Sequence, residues 1–125
     1  MELYALGLYE KSMPSTLSWT EKLTAAKQAG FDFLEMSIDE TDEKLARLEL
    51  DESGLDEIRA AMRTTGVPIR SICLSGHRKY PLGCPDAAKQ ARSLDIMQKA
   101  VRLAAALGVR IIQLAGYDVY YEEGS

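Results

Sequence analysis

The stretch Ala29-Gly30-Phe31-Asp32-Phe33 ends one pattern and starts another, and the chain repeats the change at Thr65-Gly66-Val67-Pro68-Ile69 and at Leu107-Gly108-Val109-Arg110-Ile111. Each time a helical spacing of apolar residues stops at glycine and a short apolar run follows. Glycine can take the left-handed conformation that closes the last turn of a helix, so all three read as helix stops. They lie 36 and 42 residues apart, close to one strand-plus-helix unit, which makes the chain an internal repeat of βα modules.

Working outward, strands are expected near Ala5 to Tyr9, Phe31 to Ser37, Ile69 to Leu74 and Arg110 to Leu114. All are short apolar runs of the kind found in buried parallel strands. Ser18-Trp19-Thr20-Glu21 is a capping box that opens the first helix, with Trp19, Leu23 and Ala26 on one face. A short turn is expected around Asp42 to Leu48 and a second helix from Ser53 to Thr65, with Leu55, Ile58 and Met62 inward. The longest helix runs from Asp86 to Leu107, and the spacing of Ala87, Ala91, Leu94, Met97, Val101 and Ala104 places them on its buried face. Alternating strands and helices imply an α/β fold with a parallel sheet and right-handed crossovers, in the order βαβαβαβ. No linker or low-complexity run interrupts it, so residues 1–125 are read as one domain.

At 125 residues, 46% hydrophobic and 27% charged, the chain can bury a real core, yet it has about half of the roughly 250 residues of a closed α/β barrel. Fifteen basic against nineteen acidic residues leave a net charge of −4, without a basic cluster that could neutralise a run of phosphates. Nucleic acid is therefore not an expected partner. The start, Met1-Glu2-Leu3, carries an acid where a signal peptide carries base, and the most apolar later stretch, Leu103 to Val109, is too short to span a membrane. The expected location is the cytoplasm. Cys73 and Cys84 form no CxxC pair and suggest neither a disulfide framework nor a zinc site.

In parallel α/β proteins ligands bind at the carboxyl ends of the strands. The loops expected there are polar: Tyr9-Glu10-Lys11, then Ser37 to Thr41, then Ser75-Gly76-His77-Arg78-Lys79-Tyr80, then Gly116 to Glu122. Glu35, a carboxylate at the end of an apolar strand, is either paired in a structural salt bridge or in contact with ligand. His77, the only histidine, stands beside Arg78 and Lys79 where a phosphate or a polarised hydroxyl could bind. Tyr117 could stack on or hydrogen-bond a small polar ligand. Dinucleotide, Walker, nucleophile-elbow and HExxH motifs are absent.

The segments Leu8 to Lys11, Gly30 to Asp42, Cys73 to Arg78 with Pro81-Leu82-Gly83, and Ile112 to Tyr121 resemble the L-xylulose-5-phosphate (L-ribulose-5-phosphate) 3-epimerases, also called hexulose-6-phosphate isomerases. These are xylose-isomerase-like TIM barrels of bacterial L-ascorbate and related pentose catabolism. The resemblance covers nearly the whole chain and implies the N-terminal half of a (β/α)8 barrel with four parallel strands. It implies a family reaction that inverts carbon 3 of a ketopentose 5-phosphate, with a divalent metal stabilising the enediolate and two carboxylates as base and acid. In that family the metal ligands come from later strands, so no metal and no catalytic residue is expected in this chain alone, which should be inactive. Tyr9, Glu35, His77 and Tyr117 are expected to line the substrate pocket, with Arg78 a phosphate candidate. Unpaired edges and apolar inner strand faces should drive copies to associate. The rival readings are a small sugar-phosphate-binding module without catalysis, and a structural half-barrel that assembles with itself or with a full-length epimerase.

Overall fold

The computed structural model describes residues 3–115. Four strands, β1 (Gly7–Tyr9), β2 (Phe33–Ile38), β3 (Ile69–Leu74) and β4 (Ile111–Leu114), form one sheet in the order β1-β2-β3-β4, with every neighbouring pair parallel. Between them run α1 (Trp19–Gln28), the single turn α2 (Asp42–Leu45), α3 (Glu52–Thr65) and α4 (Ala87–Leu107). Short 3-10 turns follow β1, α2 and β3.

The start and stop signals act as expected. Ser18 accepts a hydrogen bond from the Glu21 amide, and Glu21 accepts one from the Ser18 amide. Asp51 caps α3 and Asp86 caps α4 through their side chains. Gly66 and Gly108 close α3 and α4 at φ +73° and +71°, a region an L-residue enters only at a cost. That geometry turns the chain directly into β3 and β4.

Alternation along the strands divides the sheet into two faces. Leu34, Met36, Ile38, Ile72 and Leu74 point to the side covered by helices and pack with Leu23, Ile58 and Ile96 in one core. The opposite face, set by the register Tyr9↔Glu35, Glu35↔Ser71 and Cys73↔Gln113, is uncovered. It carries Tyr9, Glu35, Ser71, Cys73 and Gln113, so the expected apolar inner face is corrected to a largely polar one, with Phe33 and Ile111 as its apolar members. Buried positions still follow the alternation, but on this side polar groups pair with one another instead of excluding water.

The buried face of α4 is also corrected. Ser93, Ile96, Ala100, Leu103, Ala104 and Leu107 are buried, whereas Leu94 and Val101 are about half exposed, at 57% and 50%. This helix has apolar residues around more than one stripe, so spacing alone could not choose which stripe meets the sheet. Among the described residues no helix is long and apolar enough to cross a membrane.

Candidate functional site

The loop after β1 is anchored by a carboxylate that no motif announced. Glu10 follows β1 directly, and its side chain is 1% exposed. Burial alone would push its carboxyl up. Hydrogen bonds and charge from Arg47, then hydrogen bonds from Lys22 and the Ser37 amide, overcome this and hold it down at about 2. Arg47 donates to both oxygens at 2.6 Å, Lys22 donates at 2.5 Å, Lys44 at 3.2 Å and the Ser37 amide at 2.9 Å. The Trp19 ring lies 4.6 Å from the Arg47 guanidinium and 4.9 Å from the Lys22 ammonium, a quadrupole facing the excess of cations. Five donors from four segments thus converge on one carboxylate at the end of β1.

On the other side of this loop Lys11 pairs with Asp39 at 2.6 Å. Asp39 also accepts from the amide and hydroxyl of Thr41, at 2.9 and 2.6 Å, and Thr41 caps α2. A cavity of about 230 Å³ lies here, with Lys22, Lys44 and Glu43 in its wall. The loops after β1 and β2 are therefore locked together, and the lock holds the residues between them.

Tyr9 stands on the open sheet face. Its hydroxyl donates to the Ser37 hydroxyl at 3.3 Å, and burial, opposed by Ser37 and assisted by Cys73, raises its pKa. Beside it the Ser71 hydroxyl donates to Glu35 at 2.7 Å. Glu35 is thus paired across strands in the middle of β2 and half-buried, with the Tyr9 backbone opposite it in register. The structure brings Tyr9 and Glu35 together on one surface.

His77 and Arg78, neighbours in sequence, have different surroundings. His77 is 2% exposed, and its ring Nε2–H donates to the Ser93 carbonyl of α4 at 3.1 Å. Burial lowers its pKa, against the pull of that hydrogen bond, so the ring is neutral at pH 7 and packs beneath the loop. Arg78 instead helps line a cavity of about 150 Å³ at the carboxyl ends of β3 and β4, with Cys73, Ser75 and Gln113. Tyr117 lies outside the described residues.

Glu10, Lys22, Lys44 and Arg47 were missed as a group, and so were Cys73, Ser75 and Gln113. A signal for Glu10 did exist, since the argument that singled out Glu35, a carboxylate after an apolar run, applies to it equally. Nothing in the sequence pairs it with Lys22, Lys44 and Arg47.

A divalent metal requires several carboxylate or imidazole donors aimed at one point. Among the described residues no group of three or more His, Cys, Asp or Glu is placed to hold one, and Glu35 and His77 are each engaged elsewhere. The residues described do not fit a metal's ligand set. What the arrangement can do is present hydroxyl, carboxylate, amide and guanidinium groups to a small polar ligand across the strand ends.

Comparison with known proteins places this geometry. The family model of the xylose isomerase-like TIM barrel matches residues 23–124. The chain is 54% identical over 123 residues to SgbU of Escherichia coli, with 98% of the chain and 43% of that protein covered. To the L-ribulose-5-phosphate 3-epimerase UlaE of Salmonella heidelberg it is 49% identical over 120 residues, covering 96% of the chain and 42% of UlaE. A D-psicose 3-epimerase structure determined in the presence of D-fructose superposes with a TM-score of 0.70 at 17% identity, covering 87% of this chain and 36% of that one. The chain thus spans little more than two-fifths of the curated relatives it matches, and its four strands are half of a barrel's eight. By sequence and by fold it belongs to the xylose isomerase-like TIM barrels.

Proposed function

We propose that this chain forms one half of the substrate wall of a pentulose-5-phosphate 3-epimerase, acting on L-ribulose 5-phosphate and L-xylulose 5-phosphate in the cytoplasmic breakdown of L-ascorbate and related pentoses. The observation that carries the reading is the open sheet face. In a fold whose covered face is wholly apolar, the uncovered one presents Tyr9, Glu35 with Ser71, and Gln113, a surface suited to a hydroxylated ligand and unsuited to packing. The names of the relatives support the choice of reaction.

Epimerisation moves one proton. It leaves the carbon beside the ketone on one face and another returns on the opposite face. Tyr9, Glu35, Arg78 and Tyr117 contact substrate in this reading. His77, held on the Ser93 carbonyl, sets the loop that carries Arg78. The acid, the base and the divalent metal of the complete enzyme come from the rest of the barrel, and this chain alone does not catalyse. Among the described residues β1 and β4 are each paired on one side only, and these edges let copies associate.

The test follows proton exchange at carbon 3 of L-ribulose 5-phosphate in D2O by NMR. The chain is assayed alone and joined with the remaining segment of UlaE. Exchange is expected only for the completed barrel. Exchange by the chain alone overturns its assigned inactivity, and a folded completed barrel without exchange overturns the epimerase reading. Sugar-phosphate binding without exchange in that barrel would favour a non-catalytic binding module.

A further inference from the structure

The cavity of about 230 Å³ between the loop after β1 and the turn α2 lies apart from the substrate wall, for none of Tyr9, Glu35, Ser71 and Gln113 lines it. Lys22 of α1 and Lys44 of α2 form its inner wall and are 4% and 7% exposed. Lys11, Ser15 and Glu43 stand at its mouth and are exposed to solvent. The volume equals that of about seven waters at roughly 30 Å³ each, room for a small polyatomic ion.

Charge is unevenly shared here. Lys11, Lys22, Lys44 and Arg47 pair with only two carboxylates, Glu10 and Asp39. An ammonium carries three N–H donors, yet among the described residues Lys22 and Lys44 each donate once, to the same Glu10 oxygen, at 2.5 and 3.2 Å. Buried donors are normally satisfied, and a buried charge needs a counter-charge. Two ammoniums that share one oxygen therefore keep donors for something in the cavity. Glu43 at the mouth and Glu40, whose charge reaches Lys11, weaken the positive field at the entrance, but neither forms an ion pair with Lys22 or Lys44 among the described residues.

A group that accepts from several donors at once and carries two negative charges fits this wall. A phosphoryl group does both, with three acceptor oxygens and nearly two charges at neutral pH, whereas a carboxylate brings two oxygens and one charge, and a sugar hydroxyl brings no charge. We propose that this cavity is an anion site for a phosphoryl dianion, held by Lys22 and Lys44 from within and by Lys11 and the Ser15 hydroxyl at the mouth. A dianion there joins α1, α2 and the loop after β1, the parts that Glu10 also ties together. The site is independent of the reaction assigned above.

The test is an NMR titration of the 15N-labelled 125-residue chain with inorganic phosphate and with L-ribulose 5-phosphate, each to about 20 mM, well above a millimolar Kd, beside sodium chloride at matched ionic strength. The backbone amides of Ser15, Thr41 and Lys44 are expected to shift and saturate with a phosphate and to stay in place with chloride. Lys44→Met should weaken binding about tenfold, as expected for a hydrogen bond to a charged group. Glu43→Gln, an exposed change that leaves the fold alone, should tighten it about twofold and keeps the test open if Lys44→Met does not fold. Saturation at a lower concentration of L-ribulose 5-phosphate than of inorganic phosphate assigns the dianion to a sugar phosphate, and the reverse order assigns it to the free ion. Equal shifts with chloride, shifts that do not saturate, or an affinity unchanged in both variants would each overturn the site.

Discussion

Replacing Glu10 by glutamine removes one charge from a site where three cations converge, and its effect can be worked from the geometry. The carboxylate takes two hydrogen bonds from Arg47 and one each from Lys22, Lys44 and the Ser37 amide. Its folded pKa of about 2 lies below the ordinary 4.5, and such a difference corresponds to about 3 kcal/mol of stability at neutral pH. Glutamine keeps the shape but leaves Lys22, Lys44 and Arg47 without a counter-charge, and breaking a buried pair this way costs about 3–5 kcal/mol. Against a typical domain stability of about 5–15 kcal/mol that is a large fraction. Urea unfolding at pH 7 should show the midpoint of Glu10→Gln lowered by this energy divided by the slope, with the slope itself unchanged. Because the folded pKa is depressed, the stability from Glu10 is fully present above the unfolded pKa and is lost as pH falls through about 2. The gap between wild type and variant should therefore narrow steadily on acidification from pH 5 and be nearly closed at pH 2, where the folded Glu10 is about half protonated. A variant within 1 kcal/mol of wild type at pH 7, or a gap that stays constant to pH 2, would refute the claim that this carboxylate holds the loops together.

Three further outcomes follow from other parts of the molecule. His77 is neutral when folded and protonates more readily when unfolded, so wild-type stability should be full above about pH 6.5 and decline as pH falls below it. His77→Gln, which can still donate to the Ser93 carbonyl, should lack that His-dependent decline in urea titrations between pH 7 and pH 5, and an identical decline in both would remove the burial argument. Gly66→Ala and Gly108→Ala meet no atom within 4 Å, so each should cost only the left-handed strain of about 1–2 kcal/mol. Gly7→Ala would put its Cβ 2.2 Å from the Phe33 ring, and it should cost more than either unless that ring swings aside, an ordering that thermal melts can check. For self-association, sedimentation velocity should show a weight-average coefficient that rises with concentration, and Ile111→Lys with Leu114→Lys, both exposed on β4, should reduce the rise; a concentration-independent monomer would contradict association through the edges.

Much of the fold was legible because its signals are local. Glycine at a helix end, a capping serine with glutamate three residues on, and short apolar runs each depend on neighbours a few residues away, and Gly66, Gly108, Ser18 with Glu21 and β3 stand where those signals put them. The stripe of α4 was not legible, because choosing between Leu94 with Val101 and Ile96 with Leu103 requires knowing which side the sheet occupies. Periodicity gives the width of an apolar surface and leaves its direction open when residues on adjacent stripes are alike.

The candidate site divides along the same line. Tyr9 and Glu35 could be proposed from position alone, because strand ends are where such folds bind ligands. Their setting could not, since Tyr9 depends on Ser37 from another strand, and Ser37 in turn donates its amide to Glu10. A chain of contacts, from Lys22, Lys44 and Arg47 through Glu10 and Ser37 to Tyr9, crosses α1, α2 and its following turn, β2 and β1. Each link is a hydrogen bond between residues distant in sequence, so no motif encodes it. The polarity of the open face has the same origin. Read singly, Ser71, Cys73 and Gln113 are unremarked residues in apolar runs, and only the register that sets them side by side makes them one surface. A buried charge cluster behind a polar face is what a binding wall needs, because the cluster fixes backbone position while the face stays free to exchange water for ligand.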